Sequence, residues 1–445
     1  MADRLIRGRQ GRRRLAISLA LLVCGCTQKD AATAQLPDLS AVRANLAFTC
    51  AHEADHLPPL DPNVDSVFQY ARYLQKKDGP KDFDDILRYY RIAAANGHYK
   101  ANENAQLLIS RGLALSPDGA KEVVDLAAQL VAQGVPGGYY DIGYYLETGY
   151  GLKKDPEMSL RYFRKAADLG NPDAQYRIGE LLAPVDKAPD IAKQMRECAT
   201  DQGYGKAAKM LGIDLKTDGH YAEAIKAFQK GVAAGDSLSA SFLESGFKDP
   251  PKTDQLDYLA LPNDLERARR YNLIGKFLDR HESRNPKVPD IDKIVPLPPA
   301  KLPPWDGTFQ WQKEQDAAVP PQKPSDELIN ELAKAKNLDP ATGLPLAASS
   351  SKTSSEDQPA TLASRVPIGT VATTGQMCPE DGVWCARLGK GQTGDSQRRF
   401  LKGDVLPSLV VHESRKLALL DKLMEPRQQM SKVEWELVGY LDHQA

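Results

Sequence analysis

The stretch Gly138–Leu182, GYYDIGYYLETGYGLKKDPEMSLRYFRKAADLGNPDAQYRIGELL, carries the signals of one helical hairpin and the start of the next. Apolar residues recur at helical spacing over Tyr139–Thr148, and glycines follow. Asp155 and Pro156 then supply an N-cap and a first helical residue for a second helix, Glu157–Leu169. The stretch therefore predicts two consecutive helices joined by a short turn.

The same unit recurs along the chain. Gly170 occupies the position of a left-handed C-cap. Asn171-Pro172 then repeats the pattern of an N-cap followed by proline, with which another helix begins. Equivalent glycines are separated by 32 to 37 residues. A two-helix unit with this period predicts a mostly α fold, an α-solenoid in which each hairpin buries its apolar face against its neighbours. The glycines are Gly97, Gly134, Gly170, Gly203 and Gly235.

These residues carry a resemblance to a known repeat family. The pattern G-Y-Y-x-x-G-x-x-x-x-x-G-x-G-x-x-x-D at 138–155, followed by Y-F-R-K-A-A-x-x-G at 162–170, resembles the Sel1-like repeats, relatives of tetratricopeptide repeats. The resemblance covers about residues 64–246 and implies a protein-binding solenoid over 63–250. A polar-backed helix within 251–284 is predicted to cap its last repeat.

The first 25 residues have the pattern of an export signal. Six arginines precede the apolar run Leu15–Val23, which is far shorter than a membrane-spanning helix. Val23-Cys24-Gly25-Cys26 resembles a bacterial lipobox with Cys26 as the lipidated residue. The alternatives are an ordinary signal peptide and, less well matched, a twin-arginine signal. The resemblance implies a periplasmic lipoprotein at the outer membrane, tethered through residues 26–38.

Charge and cysteine content narrow the function classes. Removal of residues 1–25 changes the formal charge from −1 to −6, so no electrostatic footprint for nucleic acid is present. In an oxidising compartment Cys378 and Cys385, seven residues apart across a turn, are the predicted disulfide. Pairing of Cys50 with Cys198 stays open because several repeats separate them.

One chemical motif lies within a predicted N-terminal helix and cap at 39–62. His52, Glu53 and His56 satisfy H-E-x-x-H, the pattern of zinc peptidases. The charged Asp55, the helix-ending Pro58 and the lack of a third ligand argue against a metal site. We therefore expect no catalytic residues, metal or cofactor.

Aromatic residues are the candidates for partner contact. Tyr139, Tyr140 and Tyr144 cannot all enter the seam that Tyr145 occupies, so some of them are predicted to face a partner, although inter-repeat packing is the alternative. The proline-rich part of 285–364, which also holds a short helix at 325–336 and a flexible linker, carries Trp305 and Trp311. These two are expected to pack back on the repeats, with a partner site as the alternative.

Residues 365–445 have short β-prone runs that predict a small β-rich module. Three of its sequence segments resemble a C-terminal module of periplasmic immunity proteins that accompany toxins of type VI secretion systems. These segments are RVPIGTVATTGQMCPEDGVWC, RRFLKGDVLP and VEWELVGY. The resemblance implies a non-enzymatic protein that neutralises a secreted antibacterial toxin by occluding it. The alternatives are an envelope scaffold that organises self-proteins through its repeats and, third, a zinc hydrolase.

Overall fold

The computed structural model describes residues 46–185, 187–346, 365–389, 392–393, 396–413 and 427–441. The predicted leader, the predicted lipidation site Cys26 and the predicted tether lie outside the described residues. The flexible linker predicted at 347–363 lies outside them as well.

Twelve α-helices form six consecutive hairpins, and each helix packs against the next. This arrangement confirms the predicted α-solenoid. The helices are α1 (Pro62–Lys76), α2 (Phe83–Ala95), α3 (Tyr99–Ser110), α4 (Gly119–Ala132), α5 (Pro136–Thr148), α6 (Pro156–Asp168), α7 (Pro172–Leu182), α8 (Pro189–Asp201), α9 (Gly205–Thr217), α10 (Tyr221–Ala233), α11 (Ser237–Gly246) and α12 (Leu265–Arg280).

The helix ends follow the signals in the sequence. The Asp155 carboxylate accepts a hydrogen bond from the Met158 amide at 3.1 Å, and the Asn171 side chain accepts one from Ala174 at 2.8 Å. These contacts satisfy amide groups that a helix N-terminus leaves without partners. All five predicted C-capping glycines have positive φ, between 74° and 96°.

Close helix approach holds the hairpins together. A Cβ atom placed on Gly143 would lie 2.9 Å from Cδ1 of Phe163, and one on Gly212 would lie 2.6 Å from Cε1 of Phe228. In both hairpins an aromatic ring of the second helix fills the place of a side chain on the first. The Ser159 hydroxyl donates to the Gly143 carbonyl at 2.8 Å, which closes the same contact.

Beyond α12 the chain runs back along the array as a return segment, residues 281–346. Near its start, the Val288 amide donates to the Ala233 carbonyl of hairpin 5 at 3.0 Å. Near its end, the Asn96 amide group of hairpin 1 donates to the Leu332 carbonyl at 3.1 Å. The segment contains α13 (Ile291–Ile294), α14 (Gln310–Ala317) and α15 (Asp326–Ala335), the last confirming the short helix predicted at 325–336.

The C-terminal module is built from short antiparallel strands. One sheet has the order β1-β7-β2-β4 and the other β3-β5-β6, and the fully buried Trp384 and Trp435 form the centre of the core. The β-rich prediction is confirmed. The strands are β1 (Val371–Thr373), β2 (Gly382–Arg387), β3 (Gln392–Thr393), β4 (Gln397–Phe400), β5 (Leu409–Glu413), β6 (Arg427–Ser431) and β7 (Glu434–Tyr440).

The disulfide prediction is wrong. Cys378 and Cys385 are free thiols, whereas Cys50 and Cys198 form a disulfide with 5.6 Å between their Cα atoms. Cys378 packs in the module core, and burial raises the pKa of its thiol to about 12. Cys385 follows the core residue Trp384 in β2, so the alternation of a strand directs it to the opposite face.

The predicted N-terminal helix is also wrong over its described part. No α-helix occurs between Leu46 and Leu60, where the structure has an extended segment with one 3-10 turn, Glu53–His56. Phe48 is buried against Phe163 and its neighbours on α6 and α7. The segment therefore docks onto the repeats in an extended conformation, and these contacts outweigh its local tendency to form a helix.

Substitution of Gly143 by Ala tests the close contact inside hairpin 3. The new methyl group would collide with the Phe163 ring, so we expect the free energy of unfolding to fall by about 1–3 kcal/mol, as in other overpacked cores. Urea unfolding followed by circular dichroism measures the change.

Gly275 is the matched control, because it also lies in a helix interior but its nearest neighbour would be 3.7 Å from an added Cβ. Gly275→Ala should leave stability unchanged or raise it by about 0.5–1 kcal/mol through helix propensity. Equal effects of the two substitutions would contradict the proposed role of the contact.

Loss of the disulfide should lower stability strongly, because the bond spans 148 residues. The chain-entropy model gives an upper value of about 5 kcal/mol for a loop of this length. We expect dithiothreitol to lower the melting temperature of the wild type but not that of a Cys50→Ala variant. Cys385→Ala is the control and should retain the full response; a wild type indifferent to reductant would contradict the assignment.

Candidate partner-binding surface

The N-terminal segment, residues 46–60, crosses the turns between successive hairpins. The Gln175 side chain donates to the Ala51 carbonyl at 3.0 Å, and the Glu53 amide donates to Gln202 at 2.8 Å. At the turn between hairpins 3 and 4 the segment approaches so closely that a Cβ on Gly170 would lie 2.4 Å from the His52 carbonyl carbon. Gly170 is thus required both for its φ of +96° and for this contact.

The H-E-x-x-H motif lies in this segment and does not form a zinc-peptidase site. Zinc binding by that motif needs both histidines on one face of an α-helix. Here Glu53–His56 is a four-residue 3-10 turn, and His52 precedes it in an extended conformation. The Glu53 carboxylate instead accepts a hydrogen bond from Asn171 at 2.8 Å. The zinc-hydrolase alternative is therefore wrong.

One group of potential metal ligands occurs in the part of the chain that the structure describes: Cys50, His52 and Cys198. The two cysteines are joined in the disulfide, and metal binding by cysteine requires thiolates. His52 is then left as the single ligand of the group. The arrangement stabilises the fold by covalent linkage.

Carboxylates from the N-terminal segment and the first helices of hairpins 2 and 3 converge beside Gly137. Oε1 of Glu103 and Oε1 of Glu53 lie 2.9 and 3.9 Å from the position of a Cβ on that glycine. Asp141 stands nearby and accepts a hydrogen bond from Gln106 at 3.1 Å. The groups come close because the segment lies directly over the helix starts.

The surroundings of these carboxylates favour their neutral forms. Glu103 keeps access to solvent, yet protein encloses it on most sides, and desolvation together with Asp141 and Glu53 raises its pKa to about 8. Burial raises the pKa of Asp141 to about 7, against the Gln106 hydrogen bond, which lowers it. Burial likewise raises the pKa of Glu53. This part of the surface therefore changes charge near neutral pH.

The predicted tyrosines divide between packing and exposure. Tyr139 and Tyr140 are half-buried, with ring centroids 6.2 Å from Tyr162 and 5.3 Å from Phe163 respectively. Tyr144 is 46% exposed. Packing thus accounts for two of the three rings, and partner contact stays a prediction for all of them.

Tyr144 belongs to a set of equivalent positions that we call the first-helix face. In the first helices of hairpins 2–4, small residues occupy equivalent positions: Ala101, Gly138 and Ala174. The second and sixth residues after each of them share one side of the helix, because they are four residues apart. Leu107, equivalent to Tyr144, is 37% exposed. The first-helix face consists of Glu103, Leu107, Tyr140, Tyr144, Tyr176 and Glu180.

The two tryptophans of the return segment pack against hairpin 6. The Phe309 ring stacks on Phe277 with centroids 3.9 Å apart, and Trp311 meets Phe277 edge-on at 5.9 Å. Trp311 is 9% exposed, so burial in the chain's own fold contradicts its assignment as a partner-binding residue. Trp305 is half-buried, and its indole donates to the Thr308 carbonyl at 2.9 Å. The expectation of packing back on the repeats is confirmed.

The β module is held on α6 by contacts that reasoning from the sequence missed. Arg399 forms ion pairs with Asp155 and, at 3.1 Å, with Glu157. The Arg161 guanidinium lies 5.0 Å from the centre of the Phe400 ring. Asp155 thus caps α6 and also binds the module. The position of the β module relative to the repeats is therefore fixed at this residue.

None of the helices in the described ranges is long and apolar enough to cross a membrane.

Comparison with protein families supports the class of protein that this fold defines. A family model described as "Sel1 repeat" matches residues 68–98 and 136–171. A second model, "Domain of unknown function (DUF6396)", matches residues 239–346, which are the end of the array and the return segment. The chain is a Sel1 repeat solenoid, a protein-binding architecture.

Solved structures from Pseudomonas aeruginosa define the family more narrowly. Immunity protein Pa5087 is 31% identical over 57% of this chain and 95% of its own, with a TM-score of 0.47. PA5086 is 32% identical with coverages of 57% and 95% and a TM-score of 0.45, and immunity protein PA5088 is 29% identical with coverages of 57% and 94% and a TM-score of 0.47. On this identity and coverage, the chain belongs to the family of immunity protein Pa5087. No curated protein sequence matches it.

The raised pKa of Glu103 predicts a pH-dependent stability. The pKa of a glutamate in an unfolded chain is about 4.3, whereas the pKa of Glu103 in the folded protein is about 8. Between these values the folded state binds more protons, so stability falls as pH rises through that window. We expect Glu103→Gln to flatten this decline and to be more stable than the wild type at about pH 9.

Urea unfolding at pH 5, 7 and 9 measures this slope. Glu331→Gln, at an exposed position of α15, is the matched control and should leave the slope unchanged. A Glu103→Gln variant with the wild-type slope would contradict the raised pKa of the Glu103 carboxyl group.

Proposed function

We propose that the protein is a periplasmic immunity protein, anchored by a lipid on Cys26, that neutralises a secreted antibacterial toxin of the type VI kind. The observation that carries the proposal is 31% identity over 95% of immunity protein Pa5087. The lipobox-like leader supports the location, because an anchored inhibitor meets an envelope-directed toxin where that toxin acts. Stoichiometric occlusion of the toxin is the proposed mechanism.

The first-helix face is the proposed main contact. Tyr144 and Leu107 offer exposed aromatic and aliphatic area, and tyrosine is common among residues that dominate binding energy. Glu103 has no ion-pair partner among the described residues, so a basic side chain of the toxin would lower its raised pKa and pair with the ionised carboxylate. The toxin surface proposed to bind here is therefore apolar at its centre and carries a Lys or Arg.

The β module is proposed as the second contact. Because Arg399 holds the module on Asp155 and Glu157, a toxin that binds hairpins 2–4 meets a module whose position is already set. Preorganisation of this kind reduces the entropic cost of association. A tight inhibitor needs an interface of about 1,600 Å² in total, which two neighbouring surfaces supply more readily than one.

The test is a contact-dependent competition between a strain that lacks the gene and its secretion-competent parent. We expect the deletion strain to be killed by the parent and spared by a parent without a functional secretion system or without the toxin. Normal survival against an active parent would overturn the immunity function and favour the envelope scaffold.

Complementation tests the proposed surface. A Glu103→Lys/Tyr144→Ala variant should fail to protect, because it puts a positive charge where the toxin's Lys or Arg would approach and removes the central ring. Glu197→Lys, an exposed glutamate on the second helix α8, is the matched control and should protect like the wild type. Protection by the double variant, with both proteins shown to be folded by circular dichroism, would rule out this face while leaving immunity intact.

A further inference from the structure

A cavity of about 570 Å³ lies at the seam between the repeats and the β module. Helices α4, α5 and α6 form one side of it, and the module closes the other through Arg399 and Leu441. We call it the seam cavity. Binding sites for small organic molecules typically have volumes of about 300–1,000 Å³ and mainly apolar walls.

The wall of the seam cavity is predominantly apolar. Val131, Leu146 and Leu152 are only partly buried by the fold, so each keeps free surface at the cavity. Ala128 and Ala132 on α4 are exposed to it. An apolar surface of this kind favours a hydrocarbon over water.

At the rim of the seam cavity, acidic side chains are paired with basic ones, and two lysines remain without a carboxylate partner among the described residues. Asp125 pairs with Lys121 at 2.6 Å, and Asp155 pairs with Arg399. Lys153 and Lys154, both exposed, have no carboxylate partner in the part of the chain that the structure describes.

The third lining carboxylate is Asp381, which accepts a hydrogen bond from the Lys402 amide. The lining carboxylates are therefore already engaged, and the two adjacent lysines are the free charges at the mouth.

We propose that the seam cavity binds an amphipathic anion with a single long acyl chain, the chemistry that a fatty acid and an anionic lysophospholipid share. The acyl chain would lie against Val131, Leu146 and Leu152, and the anionic head group would meet Lys153 and Lys154. The proposal does not rest on the proposed immunity function, since every feature that carries it belongs to the cavity itself.

The experiment uses the purified, delipidated full chain and cis-parinaric acid, a fatty acid that fluoresces in apolar surroundings. We expect saturable binding of one equivalent and competition by both palmitate and palmitoyl-lysophosphatidylglycerol. Hexadecanol, which lacks the charge, should compete about tenfold less well, the effect expected for two exposed ion pairs. Competition by only one of the two anions identifies the source of the acyl chain and supports the site.

Chain length offers an independent readout. If the hydrocarbon is buried, each added methylene should strengthen competition about three- to fourfold until the cavity is full. Affinity that does not depend on chain length across saturated acids would overturn the assignment of the cavity as the acyl site.

Two variants locate the site. Ala128→Trp fills the cavity and should weaken cis-parinaric acid binding at least tenfold, whereas Ala222→Trp, an exposed alanine of α10, should not. Lys153→Gln/Lys154→Gln should weaken the anionic ligands about tenfold and leave hexadecanol unchanged.

Lys226→Gln/Lys252→Gln removes the same charge from exposed sites elsewhere and is the matched control for the lysine variant. Absence of saturable binding by the wild type would overturn the proposal. So would unchanged binding in both the tryptophan and the lysine variants, once their melting curves show folded protein.

Discussion

The close approach of paired helices at Cβ-free positions is the constraint on which the rest of the structure depends. Phe163 and Phe228 occupy the space that a side chain on Gly143 or Gly212 would need. The contact fixes the separation of the two helices in a hairpin, and neighbouring hairpins stack on the faces that result. Tyr144, the residue after Gly143 in the first helix of hairpin 3, is left 46% exposed.

Two segments outside the repeats change the mechanics of this array. A solenoid ordinarily has only nearest-neighbour contacts, so its stability is a sum over repeats and interfaces. Here the return segment joins hairpin 5 to hairpin 1 through Ala233 and Asn96. The N-terminal segment, which leads into hairpin 1, is bonded to hairpin 4 through Cys198. Distant hairpins are therefore coupled, and opening one end requires contacts elsewhere to break. The coupling also holds the carboxylates around Glu53 in place.

Local signals in the sequence predicted the local structure well. Asp155-Pro156, Asn171-Pro172 and the glycine of each repeat act within a few residues, so helix starts and ends could be located before any tertiary contact was known. Short β-prone runs in the last 80 residues or so indicated strands for the same reason. The motif H-E-x-x-H was recognised but misplaced on a helix, because its 3-10 turn follows from docking onto Asn171 and Gln202 rather than from propensity.

Contacts between residues far apart in sequence could not be predicted. The disulfide joins Cys50 to Cys198 because an extended segment travels back across three hairpin turns, and sequence separation alone had favoured the neighbouring Cys378 and Cys385. The Arg399–Asp155 ion pair depends on how two differently folded parts meet. The seam cavity has the same origin, since no single element contains enough of its wall to reveal it.

The disulfide also decides how the molecule transmits force. A pull applied from the N-terminal side of Cys50 and resisted at the C-terminus passes through the covalent bond directly into α8. Hairpins 1 to 3 and nearly all of hairpin 4 lie inside the closed loop and are shielded from that tension, whereas hairpins 5 and 6 and the return segment carry it. A chain held at its N-terminal end would thus keep hairpins 2 and 3, with Glu103 and Tyr144, in their folded geometry while the distal repeats yield first.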